Sequence, residues 1–210
     1  MDTGREEQQA FLEQMENEDF LTPYRNACQY INQRLEEINT EYSKRLERTF
    51  INQITYRIKT PKSCLDKMLK KKYTLNQATA QERLGDIAGV RVVCNFLDDI
   101  YRLVHIIDED KELEVVKIKD YVEKPKASGY QSLHVIVLVP AQAGEKRKVE
   151  IQIRTQAMNL WAVVEHHFVY KRNGYEKCEF EKDLKECARA IYKIDKKMLL
   201  IREKMEKSQQ

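Results

Sequence analysis

Two long stretches, one near each end of the chain, carry apolar residues at helical spacing. In the first, steps of three and four connect Leu21, Tyr24, Cys28, Ile31, Leu35, Ile38 and Tyr42. In the second, steps of four and three connect Phe180, Leu184, Cys187, Ile191, Ile194, Met198, Ile201 and Met205. Such steps put the apolar side chains on one helix face, and the second series has the alternation of a heptad seam. The pattern predicts two long amphipathic helices that either pack on their own core or pair with other helices.

The middle of the chain alternates between strand-like and helix-like patterns. Runs rich in Val and Ile predict strands at residues 88–95, 113–121, 133–139 and 148–154, with a short fifth strand at 56–59. Helical spacing predicts helices at about 61–72, 98–108 and 155–171. We therefore expect a domain of strands and helices over residues 19–175, a disordered or frayed polar N-terminus at 1–18 and a C-terminal helix at 176–210.

Composition narrows the class of protein. Of the 210 residues, 42% are hydrophobic and 34% charged, and the net charge of +3 does not point to a nucleic acid as partner. The five cysteines, Cys28, Cys64, Cys94, Cys178 and Cys187, form no CxxC pair, which favours reduced thiols over a disulfide framework. The first residues are polar, unlike a signal peptide, and no apolar run has the length of a bilayer. We expect a cytoplasmic globular protein.

Two carboxylates, Asp86 and Glu150, are candidate ligands for a divalent cation. In the strand at 148–154, alternation sends Val and Ile side chains into the core and Glu150, Gln152 and Arg154 to the opposite face. Asp86 shortly precedes the strand at 88–95. Glu150 also fits a half-solvated strand, and Asp86 also fits the end of a loop. Carboxylates on neighbouring strands supply the hard oxygen ligands that Mg²⁺ needs beside substrate phosphates.

If the substrate carries phosphates, side chains must bind them, because the six glycines form neither a GxGxxG motif nor a P-loop. Arg57 and Lys59 alternate along one strand, and Lys117 and Lys119 along another, so the pleat points each pair in one direction. Further candidate cations are Lys67, Lys124 and Lys126. The lysine run at 70–72 is interpreted as solvated surface.

Two residues near the loop 126–130 each allow two interpretations. The position of Tyr130 is consistent with stacking on a nucleotide base or with packing in the core. The position of His134 is consistent with a contact to phosphate or with a hydrogen-bonded place in the core. Cys94 lies in an apolar strand and is interpreted as a small core residue, and Trp161 as a packing residue.

Five ordered blocks resemble the synthetase domain of the Rel/Spo alarmone synthetases, most closely the stand-alone small alarmone synthetases. They are YRIKTPKS (56–63), DIAGVR (86–91), KDYVEKPKASGYQSLH (119–134), VEIQIRT (149–155) and MNLWAVVEH (158–166). The resemblance extends over about residues 20–172, and the blocks together are specific where one alone is not. It implies an α+β, nucleotidyltransferase-like fold: a mixed sheet of about five strands flanked by helices, with long N- and C-terminal helices.

The resemblance further implies an enzyme that transfers pyrophosphate from ATP to the ribose 3′-OH of GDP or GTP. It implies that Asp86 and Glu150 hold Mg²⁺, and that Glu150 also takes the proton of the attacking hydroxyl. The residues implied for ATP are Arg57 and Arg91 at the adenine and Lys59, Ser63 and Lys67 at the phosphates. Those implied for the acceptor are Tyr130 and Asn159 at the base, Lys126 and His134 at the phosphates, and Lys119, Gln152 and Arg154 in the active face.

Small members of this family are typically homotetramers, which would give the two helical seams a use. Two alternatives stay open: transfer to another acceptor, such as an adenine nucleotide or the 3′ end of tRNA, and an inactive homologue that binds RNA or acts as a scaffold. The intact Asp86, Glu150, Arg57, Lys59 and Tyr130 argue against an inactive homologue, and the net charge of +3 against broad RNA affinity. We expect ATP, GDP or GTP and further copies of the chain as partners, with no membrane and no nucleic acid.

Overall fold

The computed structural model describes residues 3–142, 144–170 and 177–208. Its helices are α1 (Thr3–Glu16), α2 (Glu18–Arg45), α3 (Pro61–Lys71), α4 (Gln77–Arg83), α5 (Leu97–Glu109), α6 (Gln156–Tyr170) and α7 (Lys177–Ser208). Its strands are β1 (Ile51–Ile58), β2 (Ala88–Cys94), β3 (Glu114–Asp120), β4 (Leu133–Gln142) and β5 (Glu145–Thr155). Within the described ranges, no helix combines the length and apolar character needed to cross a bilayer.

The five strands form one mixed sheet in the order β1-β2-β5-β4-β3. Strands β2 and β5 run parallel, and every other pair of neighbours is antiparallel. Strand β5 therefore lies at the centre of the sheet, with β2 on one side and β4 on the other. This arrangement confirms the predicted α+β fold with a mixed sheet of five strands.

Helix α2 packs the core against one face of the sheet. It contacts β1, β2, β4 and β5, and its buried face consists of Phe20, Pro23, Tyr24, Ala27, Cys28, Ile31, Leu35 and Ile38. On β5 the side chains of Val149, Ile151 and Ile153 are completely buried in the same core. The first amphipathic stripe therefore packs within the chain, and the alternation predicted for β5 is confirmed.

The N-terminal stretch differs from the frayed segment expected from its polar composition. It forms α1, in which Phe11 and Met15 are buried. These two residues are four positions apart, so they share one helix face, which packs near α3 and α4. The apolar residues of α1 are too few and too closely grouped to reveal a helix by periodicity, and α1 is stabilised by packing against α2, α3 and α4.

Two further elements differ from those predicted: one strand is longer, and one helix was not predicted. Strand β1 begins at Ile51, five residues before the predicted strand at 56–59. Helix α4 had no predicted counterpart, and it begins after Asn76, whose side chain accepts a hydrogen bond from the backbone N–H of Thr79 at 2.8 Å. The predicted domain boundary at residues 175 and 176 lies outside the described residues.

Paired arginines fix the start of α5. Arg48 makes two hydrogen bonds of 2.7 Å to the fully buried carboxylate of Asp99. Arg202 of α7 makes two of 2.9 Å to Asp98. The two guanidinium groups also lie over the ring of Phe96, at 5.0 and 4.8 Å from its centroid. The contact of Arg202 with Asp98 attaches the C-terminal part of α7 to the start of α5.

Candidate active site

The sheet register brings polar residues of five strands into two rows. In the first row, Arg57 of β1 pairs with Gly89 of β2, which pairs with Glu150 of β5. The second row, in order across β2, β5, β4 and β3, consists of Arg91, Gln152, His134 and Lys119. Alternate residues of a strand share one face, so both rows lie on the face opposite the α2 core. Residues far apart in the sequence therefore form one continuous polar surface.

Two adjoining cavities lie over these rows. The smaller, of about 310 Å³, lies beside β1 and is lined in part by Thr55, Tyr56 and Val90. The larger, of about 570 Å³, extends to the loop before β4 and to α6. The residues that line both are Arg57, Asp86, Arg91, Glu150 and Gln152. Each volume suits a small-molecule ligand, and the two carboxylates lie where two such ligands would meet.

The larger cavity concentrates positive charge. Its lining among the described residues contains seven cationic side chains: Arg57, Lys67, Lys71, Arg91, Lys119, Lys126 and Arg154. It contains two carboxylates, Asp86 and Glu150. The whole chain carries a net charge of only +3, so the cations are clustered here rather than spread evenly. Such a field favours a ligand with several negative charges.

Asp86 is held by two lysines. Lys59 Nζ lies 2.8 Å from its Oδ2, and Lys67 Nζ lies 2.8 Å from its Oδ1. Burial acts to raise the pKa of Asp86, but the hydrogen bonds and positive charges of the two lysines outweigh it and lower the pKa. Asp86 is therefore ionised at neutral pH, with two cations beside it.

Glu150 is the centre of a second polar cluster. His134 Nδ1 lies 3.1 Å from its Oε1, Gln152 Nε2 donates to its Oε2 at 2.8 Å, and Lys119 Nζ lies 3.9 Å away. Burial acts to raise the pKa of Glu150, but the His134 and Gln152 hydrogen bonds and the nearby positive charges outweigh it and lower the pKa to about 2. His134 is thus neither solvent-exposed nor a simple core residue, because it is buried against a carboxylate of the cavity.

Tyr130, in the loop before β4, completes the polar cluster around Glu150. The Tyr130 hydroxyl is 2.8 Å from His134 Nε2 and accepts a hydrogen bond from Arg154 at 3.0 Å. Arg154 also donates to the side-chain oxygen of Gln152 at 2.9 Å. Glu150, His134, Tyr130, Arg154 and Gln152 therefore form a closed ring of polar contacts. Tyr130 lines the cavity, and its ring packs against a small apolar cluster of Trp161, Ala162 and Ala188, so stacking on a base stays a prediction.

The donor set fits Mg²⁺. Within the described ranges no group of three or more His, Cys, Asp or Glu side chains comes together, so a metal here would rely on the two carboxylates. Magnesium is commonly held by one or two carboxylates and completes its octahedral shell with phosphate oxygens and water. Asp86 and Glu150 are both ionised and line the same cavities, which is the chemistry such an ion requires.

Most of the predicted site residues come together. Those that line the larger cavity are Arg57, Lys67, Asp86, Arg91, Lys119, Lys126, Tyr130, His134, Glu150, Gln152 and Arg154. Lys59 reaches the cavity through its contact with Asp86. Ser63 and Asn159 are not among the lining residues: Ser63 Oγ accepts a hydrogen bond from the Thr60 hydroxyl at 2.8 Å, and the side-chain oxygen of Asn159 is buried without a hydrogen-bond partner.

Several lining residues had no predicted role. Lys71 belongs to the run interpreted as solvated surface, but it lines the cavity one helical turn after Lys67, and that spacing was the available signal. Tyr121 lines the cavity with its ring 5.1 Å from that of His134. His166 is another lining residue, and its position depends on how α6 packs, which no local pattern reveals.

Comparisons with known proteins identify the family of this chain. The family described as "Region found in RelA / SpoT proteins" matches residues 56–175. The chain is 34% identical to the GTP pyrophosphokinase YwaC of Bacillus subtilis over 97% of this chain and 98% of the relative.

Two solved structures of the Bacillus subtilis small alarmone synthetase 1 are similar. The one bound to its product pppGpp has a TM-score of 0.82, with 35% identity over 89% of this chain and 96% of that chain. The one bound to AMPCPP has a TM-score of 0.75, with 32% identity over 90% of this chain and 98% of that chain. With the fold, the ordered motifs and nearly full-length similarity in agreement, the chain belongs to the small alarmone synthetases of the RelA/SpoT family.

Proposed function

We propose that this protein is a Mg²⁺-dependent (p)ppGpp synthetase that transfers pyrophosphate from ATP to the ribose 3′-OH of GDP or GTP. The observation that carries the proposal is the pair of cavities that adjoin at Asp86 and Glu150. A transfer between two nucleotides needs two binding sites whose reactive ends meet at a metal. The relatives support it, since one is named a GTP pyrophosphokinase and another was solved with pppGpp.

ATP is assigned to the side of Arg57, Arg91 and the lysines of Asp86. Burial and the positive charge of Arg57 both lower the pKa of Arg91, which indicates two guanidinium groups close together. Planar guanidinium groups on either side of an adenine ring would stack on it. Lys59 and Lys67, which contact Asp86, would hold the ATP phosphates, and Ser63 would assist at the start of α3.

The acceptor nucleotide is assigned to the side of the loop 126–130. Its base would stack on Tyr130, and its phosphates would contact Lys126 and His134. Asn159 would contact the edge of the base, and its buried side-chain oxygen has no hydrogen-bond partner among the described residues. Lys119, Gln152 and Arg154 would keep the polar ring around Glu150 in place.

The reaction requires little covalent work from the protein. The 3′-oxygen attacks the β-phosphorus of ATP, the bond from that phosphorus to the oxygen bridging to the α-phosphate breaks, and AMP leaves. Glu150, being ionised, takes the proton of the hydroxyl. When bound between Asp86 and Glu150, Mg²⁺ would neutralise charge on the transferred phosphates. The remaining contribution of the chain is positioning and neutralisation by Lys and Arg side chains.

The proposal is tested by product analysis. The purified protein is incubated with Mg²⁺ and labelled ATP and, separately, with GDP, GTP, GMP, ADP or tRNA. We expect transfer to GDP or GTP, lost when Mg²⁺ is chelated and reduced at least about 10²-fold in Glu150→Gln and in Asp86→Asn. Transfer only to ADP or tRNA would support the alternative acceptors. Absence of transfer to every acceptor, or full activity in both variants, would reject the proposed mechanism.

We also propose that the chain forms a cytoplasmic homotetramer, with residues 19–175 as the synthetase domain and 176–210 as the oligomerisation element. Large apolar side chains on the outer face of α7 support this: Ile194, Met198, Ile201 and Met205 are 51%, 53%, 44% and 58% exposed. Cys28, Cys64, Cys94 and Cys187 are free, as expected of a reducing compartment. Light scattering at micromolar concentration tests the assembly, and a monomer would reject it.

A further inference from the structure

The back of the loop that carries Tyr130 rests on α7. Gly129, the residue before Tyr130, has a φ of +93°. A Cβ placed on Gly129 would lie only 2.9 Å from the Cβ of Ala188 and 3.3 Å from the Cα of Lys185. Real Cβ atoms essentially never approach so closely, so a residue with a side chain would not fit at position 129 while α7 keeps this position. One side of the loop therefore faces the cavity, and the other side contacts α7.

Trp161 joins the same contact from α6. Its indole N–H donates to the backbone carbonyl of Leu184 in α7 at 2.9 Å, and its ring lies 6.4 Å from that of Tyr130. Trp161 and Ala188 belong to a small apolar cluster separate from the main core, and Tyr130 and Leu184 pack against it. One cluster therefore connects the loop, α6 and α7.

Helix α7 is held in place independently of the loop. The Thr155 hydroxyl donates to the buried carboxylate of Asp195 at 2.7 Å and accepts a hydrogen bond from the backbone N–H of Met158 at 3.1 Å. Thr155 is the last residue of β5, the strand that carries Glu150. The position of α7 is therefore fixed relative to the strand of the carboxylate.

The loop has room to move if this support changes. A cleft of about 440 Å³ lies between the loop and α7, lined by Val122, Pro125, Lys126, Gly129, Ala188 and Tyr192 among others. The loop is therefore not packed solidly from behind. The contact of Gly129 with Ala188 limits how far Tyr130 can shift from the cavity.

We propose that Ala188 is a positioning residue for the acceptor nucleotide, which sets the place of Tyr130 through Gly129. This inference rests on the proposed function, since it names the part of the site that α7 controls. A longer side chain at position 188 pushes the loop away from α7 and displaces Tyr130 relative to Glu150. The ATP side, formed by β1, β2 and α3, does not contact Ala188 and is unaffected.

The test compares Ala188→Leu with Ala190→Leu, a matched control that adds the same atoms to an exposed position of the same helix. We expect Ala188→Leu to lower kcat/KM for GDP or GTP about 10-fold or more while the KM for ATP stays unchanged, since a displacement of about 1 Å can cost 10²-fold in rate. Ala190→Leu should behave as wild type. Thermal unfolding and light scattering establish that both variants are folded and assembled alike, and Ala188→Ser provides a milder second step.

A second measurement does not depend on activity. Hydrogen exchange of residues 126–131 should be faster in Ala188→Leu than in Ala190→Leu, and the fluorescence of Trp161, the single tryptophan, should shift only in the former. Exchange equal in the two variants, or KM values for ATP and acceptor that rise together, would overturn the inference. If the wild type transfers to no guanine nucleotide, the proposed function fails, and the exchange result still decides whether Ala188 positions the loop.

Discussion

The ring and the hydroxyl of Tyr130 should contribute differently to acceptor binding, and two substitutions separate them. Tyr130→Ala removes the ring that would stack on the base. Stacking of a base on an aromatic ring contributes about 1–3 kcal/mol, so the KM for GDP or GTP should rise about 5- to 150-fold. The KM for ATP should stay within about 2-fold of wild type, because loss of an interaction present in both ground and transition states changes only the binding of its own substrate.

Tyr130→Phe keeps the ring and removes only the hydroxyl, which is hydrogen-bonded to His134 and Arg154. Arg154 keeps its bond to Gln152, so no charge is left without a partner. Both hydrogen bonds are made within the chain, so their loss should lower the free energy of unfolding by about 1 kcal/mol and leave the acceptor KM within about 2-fold of wild type.

The assay measures initial rates of label transfer, with the acceptor varied at saturating ATP and then ATP varied at saturating acceptor. Thermal unfolding shows whether either variant is merely destabilised. The reasoning would be refuted if Tyr130→Phe were as damaging as Tyr130→Ala, since the hydroxyl rather than the ring would then carry the effect. Equal increases in both KM values would also refute it.

Two further predictions concern stability. Arg48→Met leaves the buried carboxylate of Asp99 unpaired and should lower the free energy of unfolding by about 3–5 kcal/mol in urea denaturation. The double variant with Asp99→Asn should recover part of it, and a single-variant loss below about 1 kcal/mol would contradict this account. Burial raises the pKa of Asp195, although the hydrogen bond from Thr155 acts to lower it. Protonated Asp195 therefore favours the folded state at low pH, and this contribution to stability is lost as the pH rises through the folded-state pKa. Asp195→Asn should therefore gain stability relative to wild type in thermal unfolding as the pH rises above 3.8, the ordinary pKa of this group, and a constant difference would count against it.

The sequence predicted the elements whose signal is local. The stripe along α2 and the alternation of β5 both follow from the period of a single element, and both are confirmed by burial. The start of α3 was equally readable, because Pro61 follows the capping residue Thr60. Ordered motif blocks then identified the family, which the comparisons confirm over nearly the whole chain.

Features that depend on long-range packing were not predicted. Helix α1 is stabilised by burying Phe11 and Met15 against parts of the chain that lie tens of residues away, and its own composition is polar. Lys71 lies in a run of three lysines of the same local character, and the packing of α3 decides that Lys71 is the member of this run that lines the cavity. The support of Gly129 by Ala188 joins segments almost sixty residues apart.

The sequence by itself therefore indicated which residues are candidates for the chemistry, because the types and spacing of Asp86, Glu150 and the surrounding Lys and Arg residues are local properties. Tertiary structure decided how these groups meet. The register places Glu150 beside Gly89 and Arg57, and His134 beside Gln152. A shift of one residue in any of these pairings would turn the same side chains into the core, so the site exists only through contacts between strands that the linear order does not specify.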